Sequence, residues 1–73
     1  MKYYNTPDRQ RLLIELENIQ NRGITIFLDG RPSDPLYVTD AVCVKEKGEF
    51  MRDYVTDEEG VWTELRFDRV DLP

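Results

Sequence analysis

Few side chains in this sequence could carry acid–base or nucleophilic chemistry. It contains no histidine and a single cysteine, Cys43. Histidine is the commonest general base and the central member of serine and cysteine triads, so Cys43 has no imidazole partner. Its neighbours Val42 and Val44 favour a buried, inert thiol in a strand over the alternative of a reactive or partner-linking thiol. Without histidine or a second cysteine, a disulfide and an ordinary structural zinc site are both excluded.

Carboxylates are the remaining candidates for acid–base or metal chemistry. The densest cluster, 57–59, lies in a predicted hairpin loop and has neither the ligand spacing nor the closing glutamate of an EF-hand. Asp53 and Glu64 are predicted to face each other across the last hairpin, but a sheet this small offers little of the concavity that a catalytic pair needs. The Asp29–Pro32 segment lacks the spacing and lysine of a phosphate loop. The sequence therefore predicts no enzyme, no cofactor and no metal.

Aromatic and arginine side chains of the last hairpin form the most prominent remaining cluster. Strand alternation predicts that Trp62 and Arg66 share an exposed face, and tryptophan and arginine are enriched in interface hot spots. Such side chains on a sheet also stack single-stranded bases. The competing interpretation is that Trp62 covers an edge of the core while the arginines pair with nearby acids. The predicted interaction face consists of Arg52, Tyr54, Trp62, Glu64 and Arg66.

Length and charge limit the classes of function. The 73 residues form one predicted domain, 1–73, because a second core would need more apolar material. A formal net charge of −5 repels a phosphate backbone, so nucleic acid is an unfavoured partner. The first residues lack the apolar run of a signal peptide, and no run of about 18 apolar residues predicts a membrane span. A reducing, cytoplasmic location fits these features.

The first third of the chain predicts one helix and one strand. Thr6-Pro7-Asp8 is a helix start with a cap, a proline at the first position and an acid in the first turn. Apolar residues then repeat at helical spacing as far as Ile19, and Gly23 ends the helix, with Ile24 packing back on its last turn. The segment Ile24–Leu28 alternates and predicts a strand that ends at the Asp29-Gly30 turn.

Between Arg31 and Val44 the sequence is ambiguous. Two prolines argue against a strand over Arg31–Pro35. From Leu36 to Val44, a bulged strand competes with a short helix that is capped by Ser33 or Asp34, starts at Pro35 and runs to about Ala41. The helix is favoured because the continuous strand would bury Asp40, and a strand would then begin at Val42.

The C-terminal half predicts strands separated by charged, glycine-terminated loops at Lys45–Gly48 and Thr56–Gly60. Val42–Val70 would then form an antiparallel three-stranded meander. In the last strand Val61, Leu65 and Phe67 are expected to face the core. Phe50 and Tyr54 of the middle strand are expected to pack with them.

Three segments of this half, Met51–Val55, Asp57–Gly60 and Glu64–Val70, together resemble a motif in small proteins of Gram-positive bacteria, many of which travel with mobile genetic elements. The resemblance does not extend to the N-terminal helix. It implies a bacterial cytoplasmic protein with an accessory role in a mobile element, and it assigns no function to any residue.

Taken together, the patterns predict an α+β domain in which an N-terminal amphipathic helix packs on an antiparallel sheet of three or four strands, with a short second helix near 35–41. The predicted function is a non-enzymatic protein-interaction module that binds an unknown protein partner or a second copy of itself. One alternative is an acidic nucleic-acid mimic that inhibits a DNA-binding protein. The other is a single-stranded nucleic-acid binder that uses the aromatic and arginine face.

Overall fold

The computed structural model describes residues 7–44 and 49–70. Within them, two helices pack on a sheet of four strands, which confirms the predicted α+β class. The elements in chain order are α1 (Pro7–Asn21), β1 (Thr25–Leu28), β2 (Arg31–Pro32), α2 (Pro35–Val44), β3 (Glu49–Thr56) and β4 (Trp62–Val70). The predicted cap at Thr6 and the loop Lys45–Gly48 lie outside the described residues.

The sheet is mixed, so the prediction of a purely antiparallel meander was wrong. Its strand order is β2-β1-β4-β3, with β1 parallel to β4 and the other two pairs antiparallel. The reason is that Val42–Val44 is the last turn of α2 and not a strand. The chain therefore leaves β2 as a helix and re-enters the sheet at the far edge as β3, which leaves β4 to pair with β1.

The preferred helix after Pro35 is confirmed, and it extends three residues beyond Ala41. Asp34 caps it, because its carboxylate accepts a hydrogen bond of 2.8 Å from the Tyr37 N–H. Its carbonyl accepts another of 3.1 Å from the Val38 N–H. Val38 and Thr39 are fully buried, and Val38 belongs to the hydrophobic core. Burial of Val38 from a helix outweighs its strand propensity.

The expectation that no strand occurs in Arg31–Pro35 was wrong for its first two residues. Asp29 and Gly30 have φ values of 51° and 85°, as a tight hairpin turn requires, so the chain reverses and pairs Arg31 with Leu28. Pro32 is tolerated because β2 is an edge strand, where a missing backbone donor faces solvent.

Gly23 ends α1 as predicted. Its N–H donates to the Gln20 carbonyl at 2.9 Å, and the Ile24 N–H donates to the Ile19 carbonyl at 3.4 Å. These two bonds form a Schellman motif, in which glycine supplies the left-handed φ, here 89°. Ile24 is 4% exposed and packs back toward the helix, which confirms its predicted position.

The core lies between the two helices and the central strands β1 and β4. Leu65 and Phe67 are buried there as predicted, and Phe50 packs against the core at its edge. The predicted burial of Val61 and Tyr54 was wrong, because these side chains are 55% and 53% exposed. The buried apolar residues are Leu16, Ile19, Ile24, Ile26, Leu28, Val38, Leu65 and Phe67.

A bulge in β4 explains the error at Val61. Val55 pairs with Glu64 and Thr56 pairs with Trp62, so Thr63 is an extra residue in the ladder. The extra residue reverses the alternation at the start of β4 and turns Trp62, rather than Val61, toward the helices. Thr63 remains attached to β3, because its hydroxyl donates to the Val55 carbonyl at 3.3 Å.

Among the described residues, neither helix is long and apolar enough to cross a membrane.

Candidate interaction site

The sheet has two faces, a helix-side face that is covered by the helices and an open face. The predicted site residues do not share one face but are distributed over both. Residues directly opposite each other on neighbouring strands point to the same face. Arg52 and Tyr54 lie opposite the buried Phe67 and Leu65 and are therefore on the helix-side face. The alternating residues belong to the open face, which consists of Thr25, Phe27, Met51, Asp53, Val55, Glu64, Arg66 and Asp68.

Trp62 lies on the helix-side face, opposite to the face that carries Arg66. Its ring centroid is 5.2 Å from that of Tyr54, and the Arg22 guanidinium lies 5.6 Å above it. The indole N–H donates to the Glu64 carbonyl at 2.7 Å. The predicted surface shared by Trp62 and Arg66 is therefore not present, because the bulge at Thr63 turns the indole toward α1.

A groove of about 620 Å³ lies between α1 and the start of β4, and we call it the Trp62 groove. One wall is the outer side of α1, where Ile14 is 57% exposed. Trp62 forms the other wall, with the half-exposed Tyr54 ring beside it. The lining residues are Arg11, Ile14, Glu15, Asn18, Ile19, Arg22 and Trp62.

A second hollow of about 430 Å³ lies at the outer edge of β1, between Gly23 and Asp34. None of the described residues that line it is aromatic, and the isoleucines in its lining, Ile24 and Ile26, are buried in the core. The Trp62 groove, with an exposed isoleucine and an indole, is therefore the stronger candidate for a binding site.

Arg52 fastens α1 to the edge strand β3 along one side of the groove. Its guanidinium donates to the two carboxylate oxygens of Glu15 at 2.9 and 3.3 Å and to the Tyr54 hydroxyl at 3.3 Å. The hydrogen bond to Glu15 is the main cause that raises the pKa of Arg52, so the guanidinium stays charged. The guanidinium also lies 5.1 Å from the Phe67 ring. The competing sequence interpretation paired the arginines with hairpin acids and did not include this helix carboxylate.

Two more arginines lie over aromatic rings elsewhere on the sheet. The Arg66 guanidinium is 4.6 Å from the Phe27 ring on the open face and bonds Glu64 at 3.1 Å. Arg69 lies 5.7 Å from the Phe50 ring. The Arg66–Glu64 pair agrees with the competing interpretation, in which arginines pair with neighbouring acids. These arginines cover one face of each ring, which limits stacking by an incoming base.

Two arginines, Arg11 and Arg22, line the groove. Within residues 7–44 and 49–70, Arg22 forms no ion pair, and its guanidinium lies over the Trp62 ring. A guanidinium whose contact is with the face of a ring keeps N–H donors available for a carboxylate. Arg11, in the same groove, has only an exposed ion pair of 3.1 Å with Asp8. The groove therefore combines apolar walls with an accessible positive charge.

Ile14 and Arg22 are groove residues that the sequence analysis did not single out. Helical spacing alone puts Arg22 mostly on the side opposite the apolar stripe and Ile14 beside that stripe. One signal was present, since Ile14 is a large apolar residue outside the stripe that α1 buries through Leu16 and Ile19. An apolar side chain in that position of a surface helix is available to a partner.

Cys43 is exposed in the last turn of α2, so its predicted burial in a strand was wrong. The prediction depended on Val42–Val44 being a strand, whereas in α2 the Cys43 side chain is exposed. Partial burial of the thiol raises its pKa, and Arg9 opposes that shift. The thiol is accessible but protonated at neutral pH.

Alkylation should show that the Cys43 thiol is both exposed and raised in pKa. With iodoacetamide we expect complete modification of native Cys43, at a rate that reaches half its maximum at a higher pH than for an unstructured cysteine peptide. Because only the thiolate reacts, a raised pKa shifts the rate profile upward in pH. Mass spectrometry across a pH series measures it. Protection of the thiol until the chain is denatured would contradict the exposed position.

The carboxylate clusters have structural partners. Asp53 lies opposite Arg66, and Glu64 lies opposite Val55, so the predicted Asp53–Glu64 pair was wrong. In the hairpin loop, an Asp57 carboxylate oxygen accepts hydrogen bonds from the N–H groups of Glu59 and Val61 at 2.8 and 3.0 Å. No group of three or more cysteine or carboxylate side chains within the described parts of the chain is arranged to hold a metal ion.

Comparison of the chain with protein-family models, with curated proteins and with solved structures finds no match.

Proposed function

We propose that this chain is a non-enzymatic protein-interaction module of the cytoplasm that binds a polypeptide segment in the Trp62 groove. The observation that carries the proposal is the exposed apolar surface of Ile14 and Tyr54 on either side of a half-buried tryptophan. Tryptophan and tyrosine give large contact area with little loss of side-chain entropy, and arginine beside them is common in interface hot spots.

The shape of the groove favours a polypeptide over a small molecule. Its volume of about 620 Å³ is within the range of ligand pockets, but it is open to solvent along α1 instead of enclosed. An apolar side chain placed between Ile14 and Trp62 would leave its own backbone in solvent, as happens when a helix or a loop lies in a surface groove. The accessible Arg22 beside it suits an acidic residue in the same segment.

The Cys43 thiol supports a binding role over a catalytic one. Catalysis by a cysteine needs a lowered thiol pKa, whereas burial raises the pKa of Cys43. This shift moves the thiol away from the thiolate form that would act as a nucleophile.

The two nucleic-acid hypotheses have less support. Arginines cover one face of the Phe27, Phe50 and Trp62 rings, which reduces the surface on which single-stranded bases would stack. For an acidic mimic, Glu64 is already paired with Arg66, which leaves fewer free charges on the open face. The resemblance to proteins of mobile elements fits an accessory binding role in a bacterium, which we include in the proposal.

A peptide selection tests the groove with two matched variants. The immobilised chain would be used to select binders from a random peptide library. The binders would then be compared on Ile14→Asp and Leu36→Asp, because these helix residues are similarly exposed, at 57% and 51%, and only Ile14 lines the groove. We expect enriched peptides to combine apolar and acidic residues, to lose at least about ten-fold in affinity for Ile14→Asp and to keep it for Leu36→Asp.

Two outcomes would overturn the proposal. One is a selection without enrichment over the empty matrix. The other is a set of peptides that bind Ile14→Asp as tightly as the wild type. Circular dichroism of both variants must first show the wild-type helix signal, so that a lost affinity reports the surface and not unfolding.

A further inference from the structure

We propose that the segment bound in the Trp62 groove is the hairpin tip of a second copy of this chain, so that two copies form a symmetric dimer. The hairpin tip is the segment 57–61, between β3 and β4. This inference rests on the proposed function, because it names the polypeptide that the groove binds.

The side chains of the tip are complementary to those of the groove in charge and in apolar character. Glu58 and Glu59 are exposed, and neither side chain forms an ion pair with any residue in the described parts of the chain. Val61, next to them, is 55% exposed. The tip therefore offers two exposed carboxylates and an apolar side chain, while the groove offers the Arg22 guanidinium, which lies over the Trp62 ring and forms no ion pair with the described residues, beside Ile14.

Hydrogen bonds hold the tip in one conformation. The carboxylate of Asp57 accepts from the Glu59 and Val61 N–H groups, and the Gly60 N–H donates to the Asp57 carbonyl at 3.0 Å. The Asp57 N–H donates to the Val61 carbonyl at 2.8 Å, which closes the loop. A segment that is already ordered loses little conformational entropy when it binds.

The groove and the tip lie at the same end of the molecule. Trp62 directly follows the tip, and Arg22 at the end of α1 stacks on Trp62. Within residues 7–44 and 49–70, the Glu58 and Glu59 carboxylates and the Arg22 guanidinium nevertheless form no ion pair with one another. A two-fold axis near this end would place each tip at the groove of the other copy, so that every attractive contact occurs twice.

Dimerisation would also cover apolar surface that one copy leaves in water. Ile14, Tyr54 and Val61 are each more than half exposed around this end. A chain of 73 residues builds a small core, and small domains commonly gain stability by association. The net charge of −5 on each copy opposes association, and physiological salt screens most of this repulsion beyond about 8 Å.

Charge reversal with complementation tests the proposal. One variant carries Arg22→Glu, and the other carries Glu58→Arg together with Glu59→Arg. Sedimentation equilibrium should give the wild type twice the chain mass of 8.7 kDa. Each variant alone brings like charges together in both contacts, so its dimer should dissociate at least about ten-fold more readily. Mixed in equal amounts, the two variants should form a heterodimer, because both contacts then join opposite charges.

Arg31→Glu is the matched control, because Arg31 is an exposed arginine on β2, at the opposite edge of the sheet from β3. It makes the same change in net charge and should dimerise as the wild type does. Arg22→Gln serves as a milder substitute if Arg22→Glu lowers the helix signal. It should weaken the dimer without reversing the charge.

Three results would overturn the inference. They are a wild type that stays monomeric at millimolar concentration, variants that dimerise as well as the wild type, and a mixture of folded variants that remains monomeric. A monomeric wild type would leave the groove to a segment of a different protein, which the peptide selection with Ile14→Asp and Leu36→Asp detects separately. Failure of the dimer and failure of the proposed function are thus distinguishable.

Discussion

Leu16→Ala should remove a large part of the free energy of unfolding at room temperature. Leu16 is fully buried between α1 and the sheet. Truncating a buried leucine to alanine costs about 2–5 kcal/mol, through lost burial and the cavity left behind. A domain of this size has a net stability of roughly 3–5 kcal/mol. Urea unfolding followed by circular dichroism measures the loss directly.

Ile14→Ala is the control for this result. The two residues lie on the same helix, and Ile14 is 57% exposed where Leu16 is fully buried. We expect the change at Ile14 to alter the free energy of unfolding by no more than about 0.5 kcal/mol. Equal losses at the two positions would contradict the placement of α1 on the sheet.

Phe67→Ala, a truncation in the sheet, should lower the free energy of unfolding by an amount similar to that expected for Leu16→Ala. Phe67 is 2% exposed in the central strand β4, and its ring supports the Arg52 guanidinium that bonds Glu15 of α1. Removal of a buried phenylalanine costs about 3–5 kcal/mol. We also expect the edge contact to loosen, because Arg52 loses the ring on which it lies. Thermal unfolding of the variant measures the first effect.

Phe27→Ala provides the comparison, because Phe27 also carries an arginine, Arg66, but lies half-buried on the open face. Its truncation should cost clearly less than that of Phe67. The opposite order would mean that the core lies on the Phe27 side of the sheet. The pair of variants therefore tests the assignment of the two faces as well as the stability.

Local sequence signals predicted those helix and strand ends that are set by a particular residue type, such as a glycine, a capping aspartate or a proline. Gly23 ends α1 through a Schellman motif, and Asp34 with Pro35 begins α2, in both cases as the residue types indicate. The Asp29-Gly30 turn is likewise a property of those two residues. In each case a side chain or a left-handed φ satisfies backbone groups within a few positions.

Long-range pairing was not predictable in the same way. The parallel contact of β1 with β4 depends on where α2 delivers the chain, and no residue of either strand signals it. The wrong assignment of Val42–Val44 as a strand also made the predicted topology wrong, because a strand there would have completed an antiparallel meander. The prediction of a strand here failed because Val42 packs against the core from a helix.

The composition of the candidate site depends on one extra residue in β4, the bulge residue Thr63. Strand alternation grouped Trp62 with Arg66, and the bulge at Thr63 separates them onto opposite faces. Arg52 does donate to the Tyr54 hydroxyl, but its acidic partner is Glu15 of α1. Ile14 became relevant only because the bulge turned the indole toward the helix. A bulge shifts side chains by one face, which period-two patterns cannot show.

The most direct test of the Trp62 groove uses the fluorescence of its own indole. Trp62 is the only tryptophan of the chain, so its emission reports on this site alone. A tryptophan-free peptide from the selection would be titrated into the wild type, Leu36→Asp and Ile14→Asp. We predict a saturable shift of the emission to shorter wavelength for the first two proteins and none for Ile14→Asp. The same saturation curve for Ile14→Asp, or peptide binding that leaves the Trp62 emission unchanged, would contradict the groove as the binding site.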